Sequence, residues 1–336
     1  MTDFRTVGDL AQQLISRRQN ADLRAELDDL VSEVGSGRKS DLSQSLRGDF
    51  TLLSGIEADL ARLDAYAGTI SELEGRGEAI QRVLDIGREL ATETTSRLFT
   101  AVPPANANTV SIVASEARGR FDDLTARLNA SYAGAALFAG TATNGAAIEA
   151  GETIRAALEA AVAPLTDAAD VEAAVRAWFA PGGDFDTVAY LGSTDALPAV
   201  EISQTRRIAL DVSADDPAIR DVLAGLALAA LTDRPPLQGQ LDEQGTLMVS
   251  AGEQLQNAQT SLADLQGRLG TAEAEIERQG VQNAAEQTAL QESRAELTDV
   301  DIFEASTELE AVQARLELLY AITARSAQLS LVRVLQ

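Results

Sequence analysis

Leu255, Leu262, Leu269, Ile276, Asn283, Leu290 and Leu297 stand seven residues apart without a slip, and no other feature of the chain restricts its fold as strongly. Ala258, Leu265 and Ala272 fill the companion positions. A seven-residue apolar repeat puts one stripe along one side of a helix and requires a second helix against it. The stretch therefore predicts a coiled-coil seam, with Asn283 as the polar member that sets register. Composition points the same way: 45% of the 336 residues are hydrophobic but only 4% are aromatic. Such a chain fills narrow stripes between helices more readily than one wide globular core.

The formal charge is −25, from 27 basic and 52 acidic residues spread along the chain. Nucleic acid and anionic membrane are not expected partners, because both require a basic face. The adjacent basic pairs Arg17-Arg18, Arg38-Lys39 and Arg206-Arg207 read as solvated or ion-paired residues. With no cysteine and no histidine, disulfides, thiolate or imidazole metal sites and His-based triads cannot be built. A carboxylate-only site stays open in principle, but acidic residues are too abundant for any one pair to stand out. No catalysis, cofactor or metal is expected. The first twenty residues hold no apolar run of the secretory type, and the longest apolar stretch, 222–231, is too short to span a bilayer. Export, if it occurs, is expected to cleave no signal.

Helical tracts flank the seam. Phe4, Val7, Ala11 and Leu14 form one stripe and Leu23, Leu27, Leu30 and Val34 another, with a change of phase at 17–20. Gly35-Ser36-Gly37 ends the helix. A second tract covers about 46–98, with Ile56, Leu60, Leu63, Ala67 and Ile70 in series and Gly68, Gly75 and Gly77 weakening it; Pro103-Pro104 stops it. A third runs over about 108–128, with Val110, Val113, Ala117, Leu124 and Leu128 inward, antiparallel to the second. The middle, 146–238, predicts helices at 153–163 and 169–179, a turn at Pro181-Gly182-Gly183-Asp184, and extended runs at 187–191, 199–202 and 207–212. Asp216-Pro217 then opens a helix through Leu231. Trp178 and Phe179 read as the small core of this insertion rather than a ligand platform.

After the seam, Thr298 is expected to cap a final helix carrying Ile302, Leu309, Val312, Leu316, Leu319 and Ile322, then Leu329, Val332 and Leu335. An end this apolar needs a cover. Phe4, Val7, Leu14, Leu23 and Leu27 are assigned with Leu309, Val312, Leu316, Leu319, Ile322, Leu329, Val332 and Leu335 to an assembly interface. Two further motifs fail on inspection. Gly35 to Ser40 lacks the spacing of a phosphate loop and follows a helix rather than a strand. Asp299, Asp301 and Glu304 lack the glycine of a calcium loop.

Two stretches resemble a known family. Gly134-Ala135-Ala136-Leu137-Phe138-Ala139-Gly140-Thr141 is similar to a signature of hook-associated protein 3, the hook–filament junction subunit of bacterial flagella. The C-terminal stretch, ending Ser330-Leu331-Val332-Arg333-Val334-Leu335, resembles the flagellin type, and Ser36-Gly37-Arg38 stands where the family breaks its first helix. The opening Met1-Thr2-Asp3-Phe4 and the residues after Lys39 depart from the pattern. The resemblance implies a mainly α, elongated, flagellin-like bundle of N- and C-terminal segments with a small α/β or mostly helical insertion. Residues 1–45 with 298–336 would be assembly helices, 46–145 with 239–297 a helical bundle, and 146–238 an outward-facing insertion; because that insertion sits between Gly151 and the Pro235-Pro236 break, deletion of about 150–232 is expected to leave the junction functional. It also implies an extracellular structural role with hook-associated protein 1, flagellin and further copies of the chain as partners, in a ring-like layer, and an export chaperone. Flagellin itself is the nearest alternative; a cytoplasmic coiled-coil adaptor would share the heptads without needing apolar ends.

Overall fold

The computed structural model describes the backbone of residues 3–101 and 106–334, and within it the side chains of residues 11, 14–101 and 106–325. The Pro103-Pro104 break, the side chains of Phe4, Val7, Leu329 and Val332, and Leu335 lie outside the described residues. The fold is mainly α. In chain order the elements are α1 (Asp3–Ser36), α2 (Leu42–Ser45), α3 (Thr51–Ala101), α4 (Ala107–Leu128), the pair β1 (Ser131–Tyr132) and β2 (Ala135–Ala136), α5 (Gly151–Val162), α6 (Ala168–Phe179), a π-helical turn (Phe185–Ala189), the pair β3 (Val200–Glu201) and β4 (Arg207–Ile208), α7 (Pro217–Leu231), α8 (Leu241–Thr298) and α9 (Ile302–Val334). Residues 63–284 form one compact unit, and 1–62 with 285–336 form another.

In the larger unit α3 and α8 run antiparallel, with Phe99 against Gly252, Gly77 against Glu273 and Ile70 against Gly280. Leu255, Ala258, Leu262, Leu265, Leu269 and Ile276 are buried between the helices, facing Ile80, Leu84, Ala91 and Leu98 of α3 and Phe121, Leu124 and Leu128 of α4. The glycines expected to weaken α3 do not interrupt it. A Cβ at Gly75 would collide with the Tyr132 ring, and one at Gly77 would crowd the Glu273 carboxylate. Both are points of close approach, where the missing side chain makes room for a neighbour.

The middle of the chain is built into the same core. Asp216 caps α7, its carboxylate accepting from the Ala218 amide at 3.0 Å, with Pro217 in the first turn. Residues 222–231 are all buried. A helix apolar around its whole circumference must be covered on every side. Here α4 covers it through Arg118, which bonds the Ala230 carbonyl and the Asp233 carboxylate (3.2 and 2.7 Å). The Leu255 side chain of α8 fits where Gly225 has no Cβ. The segment between 150 and 232 does not pack apart from the seam: α7 and the heptad residues belong to one apolar cluster.

Gly134 to Thr141 turns out to be the seat of this middle region. Leu137, Phe138 and Ala139 are buried, the Phe138 carbonyl accepts from the Ala214 amide at 2.8 Å, and Gly140, at φ +56°, passes close to the Ser193 carbonyl. The extended runs are shorter than the sequence suggests. Val200–Glu201 and Arg207–Ile208 pair with each other, in the register Val200↔Ile208 and Glu201↔Arg207. Of the run 187–191 only the end is extended, where Tyr190 pairs antiparallel with Ile148; the chain coils at 185–189 because Phe185 and Ala189 turn inward and the Asp186 carboxylate accepts from the Gly182 amide at 2.7 Å.

In the smaller unit α1 and α9 pack antiparallel. Leu30, Val312 and Leu316 are buried, with Leu23, Leu27 and Leu309 against them. Helix α1 runs unbroken through the phase change at 17–20 and ends at Gly37, whose φ of +72° suits glycine. The α9 cap is not Thr298, which is the last residue of α8 and bonds its hydroxyl to the Arg294 carbonyl at 3.0 Å. Asp301 takes that role, accepting from the amides of Phe303 (2.9 Å) and Glu304 (3.2 Å). A carboxylate at that point also faces the positive end of the helix.

Candidate assembly surface

The α1–α9 pair is held in register where its two helices meet their loops. Lys39 donates its amide to the Thr298 carbonyl (2.9 Å), Val300 donates to the Gly37 carbonyl (3.1 Å), and Arg38 bridges Asp299. The Lys39 ammonium reaches the Leu297 carbonyl at 3.0 Å, at the C-terminal end of α8 where a cation meets the negative end of the helix dipole. Farther along, the Arg24 guanidinium donates to the Tyr320 hydroxyl at 2.8 Å. That hydrogen bond holds the Tyr320 phenol below its usual pKa.

Beyond these contacts the pair leaves much apolar surface in water. Leu14 is 60% exposed, Leu318 62%, Ile322 57% and Phe303 84%. Leu318 and Ile322 are four residues apart and share one face of α9. Bringing a side chain of this size out of water contributes about 1.5–3 kcal/mol. Among the described residues the apolar cluster of the pair is Leu30, Val312 and Leu316. Of the residues assigned to assembly from the sequence, Leu23, Leu27, Leu309, Val312 and Leu316 pack on one another, Leu319 is half-buried, and Leu14 and Ile322 face solvent.

Along α8, the seam is buried from Leu255 to Asn283, while Leu290 and Leu297 are half-buried. Asn283 does not meet a partner helix as a coiled-coil polar residue would. Its amide donates to the Ile202 carbonyl at 2.9 Å and its oxygen accepts from Gln279 at 2.8 Å, so it fastens the β3–β4 hairpin to α8. The seven-residue repeat cannot reveal this, since the hairpin partner lies eighty-one positions away.

A second polar centre was not anticipated from the sequence. Arg220, buried in α7, bonds the carboxylates of Asp186 and Asp215 and the carbonyls of Phe179 (3.1 Å), Ala180 (3.3 Å) and Asp215 (3.0 Å). Its guanidinium lies 4.5 Å from the centre of the Phe185 ring. That ring belongs to a cluster in which Trp178, Phe179, Phe185 and Tyr190 pack on one another edge-on, tilted or stacked. A buried guanidinium with this many acceptors is fully committed to holding the fold. The available signal was one arginine inside an apolar run, three residues after a capping Asp-Asp-Pro. Among the described residues no group of three acidic side chains is placed to hold a metal ion, and no helix is long and apolar enough to cross a membrane.

Residues 253–335 match the bacterial flagellin C-terminal helical region. The match takes in most of α8 and all of α9 up to its end, that is, the seam and the exposed apolar face of the pair. A solved structure from Vibrio parahaemolyticus, described as a flagellar hook-associated protein, is 14% identical, with a TM-score of 0.43, over 71% of this chain and 96% of its own. None of the curated proteins compared with the sequence matches it.

Proposed function

We propose that the chain is a structural subunit of the bacterial flagellum that joins hook to filament. In this reading α1 and α9 pack against the corresponding helices of neighbouring subunits, with hook-associated protein 1 on one side, flagellin on the other and further copies around the same layer. One observation carries it: the segment matching the flagellin C-terminal region ends in a helix pair that, among the described residues, leaves apolar side chains in water. Leu318 and Ile322, side by side on α9, would be the part of that pair a neighbouring helix covers. The subunit would work outside the cell without doing chemistry, exported unfolded with its apolar ends held by an export chaperone. The junction position rests on the resemblance of Leu137 to Thr141 and of the C-terminal ending.

The second reading is a filament subunit, favoured by the fact that the matched region is described for flagellin itself. Electron microscopy of a strain lacking the gene separates the two. A junction subunit leaves bare hooks and flagellin shed into the medium; a filament subunit leaves no shed filament protein. Normal attached filaments in that strain contradict both.

A further inference from the structure

We propose that the cleft between α3 and the β3–β4 hairpin is a binding site for a small carboxylate bearing an apolar tail. The cleft is a cavity of about 170 Å³, walled by Leu73 of α3 and by Leu197, Val200, Ile208 and Leu210 of the hairpin region, with Arg76 of α3 among them. An engineered apolar cavity of about 150 Å³ holds a benzene molecule, so this one takes a tail of that size.

Arg76 sets the chemistry of the head. Its Nε is buried without a hydrogen-bond partner. Its Nη2 reaches only the Leu137 carbonyl, at a long 3.4 Å, and among the described residues it forms no ion pair. Burial pushes the guanidinium below its usual pKa, opposed by the charge of Glu72. A desolvated cation with an unused N–H lacks an acceptor. Arg220, buried in α7, shows how completely this fold satisfies a guanidinium when the partner belongs to the chain. A carboxylate is the anion that pairs best with a guanidinium standing in the wall of an apolar cleft. Glu72 also lines the cleft and is exposed, so its charge weakens the site without filling it. The inference stands on this cleft alone and is independent of the flagellar reading.

Hexanoate is the probe, titrated into the full chain while the arginine Nε–Hε resonances are followed by nuclear magnetic resonance, with hexanol as the uncharged control. The Arg76 signal, identified by its loss in Arg76→Gln, is expected to shift saturably with hexanoate. Hexanol is expected to bind at least about tenfold more weakly, as is hexanoate to Arg76→Gln when read on the ligand signals, since a charge-assisted hydrogen bond is worth about that factor or more. Glu72→Gln, an exposed change that leaves the fold intact, is expected to tighten hexanoate binding. Shifts that do not saturate, equal affinity for hexanol, undiminished binding to Arg76→Gln, or unchanged affinity in Glu72→Gln each overturn the proposal.

Discussion

Asn283→Asp is an isosteric change with a large expected cost, because Asn283 is 5% exposed and acts as a donor. The substitution keeps the shape and the acceptor for Gln279 but removes the N–H that reaches the Ile202 carbonyl 2.9 Å away. Two oxygens then face each other in a buried site. An orphaned buried acceptor costs about 1–3 kcal/mol, and a carboxylate held there adds desolvation. The loss at pH 8 should therefore be about 3 kcal/mol. Burial raises the pKa of the new carboxyl in the folded state. Its neutral form can donate an O–H to Ile202, so the variant is stabilised by protonation. That stabilisation is complete below the unfolded carboxyl pKa and is lost as pH rises through the raised folded value. The gap to the parent chain should accordingly narrow between pH 8 and pH 5.5.

Urea titration at both pH values measures the gap, and hydrogen exchange over 200–208 locates it, because the hairpin should open before the rest of the unit. A variant within about 0.5 kcal/mol of the parent, the range of an ordinary surface change, would refute the donor role. So would a gap that is the same at both pH values.

Asp221, in α7, is raised in pKa by burial, and its bonds from Gln254 and Ser261 are both long at 3.4 Å. The neutral form favours the fold, an advantage fully present below pH 3.8 and lost as pH rises through the folded pKa, so Asp221→Asn should be slightly more stable than the parent at pH 7 and equal to it in acid, by urea titration. Gly225→Leu places a side chain where Leu255 already sits and should cost about 1–3 kcal/mol, seen as a lower urea midpoint. Excision of 150–232 removes the buried α7 and uncovers Leu255 and its neighbours; circular dichroism and gel filtration should show an aggregating chain with reduced helix content, and a monomeric, cooperatively melting product would restore an independent insertion.

Periodicity makes the long helices legible in the sequence. Leu255 to Ile276 are buried because a heptad stripe has one physical solution, and Asp216-Pro217 starts α7 where a cap and a proline require it. The 153–163 and 169–179 helices were legible for the same reason. What escaped were relations between distant segments. Asn283 looks the same in sequence whether it faces a helix or the Ile202 carbonyl, and nothing local tells Arg220 that Asp186 will lie beside it. The π-helical turn at 185–189 was missed because a short β-branched run also fits a strand until Phe185 is given a core to enter. On the assembly surface, Leu316 and Leu318 are equally apolar letters; only the placement of α1 decides that one is covered and the other is in water.

That difference supplies the most direct test of the central claim, that α9 offers an apolar face to neighbouring subunits. Leu318→Asp with Ile322→Asp changes two residues that are 62% and 57% exposed, so the isolated chain should keep its helix content and urea midpoint. In an assembled layer each carboxylate would enter an apolar contact at a cost of several kcal/mol. The measurement is filament attachment, by electron microscopy, in a deletion strain carrying the double variant. The account predicts exported variant protein and hooks without attached filaments. Filaments attached at the parental frequency would contradict it.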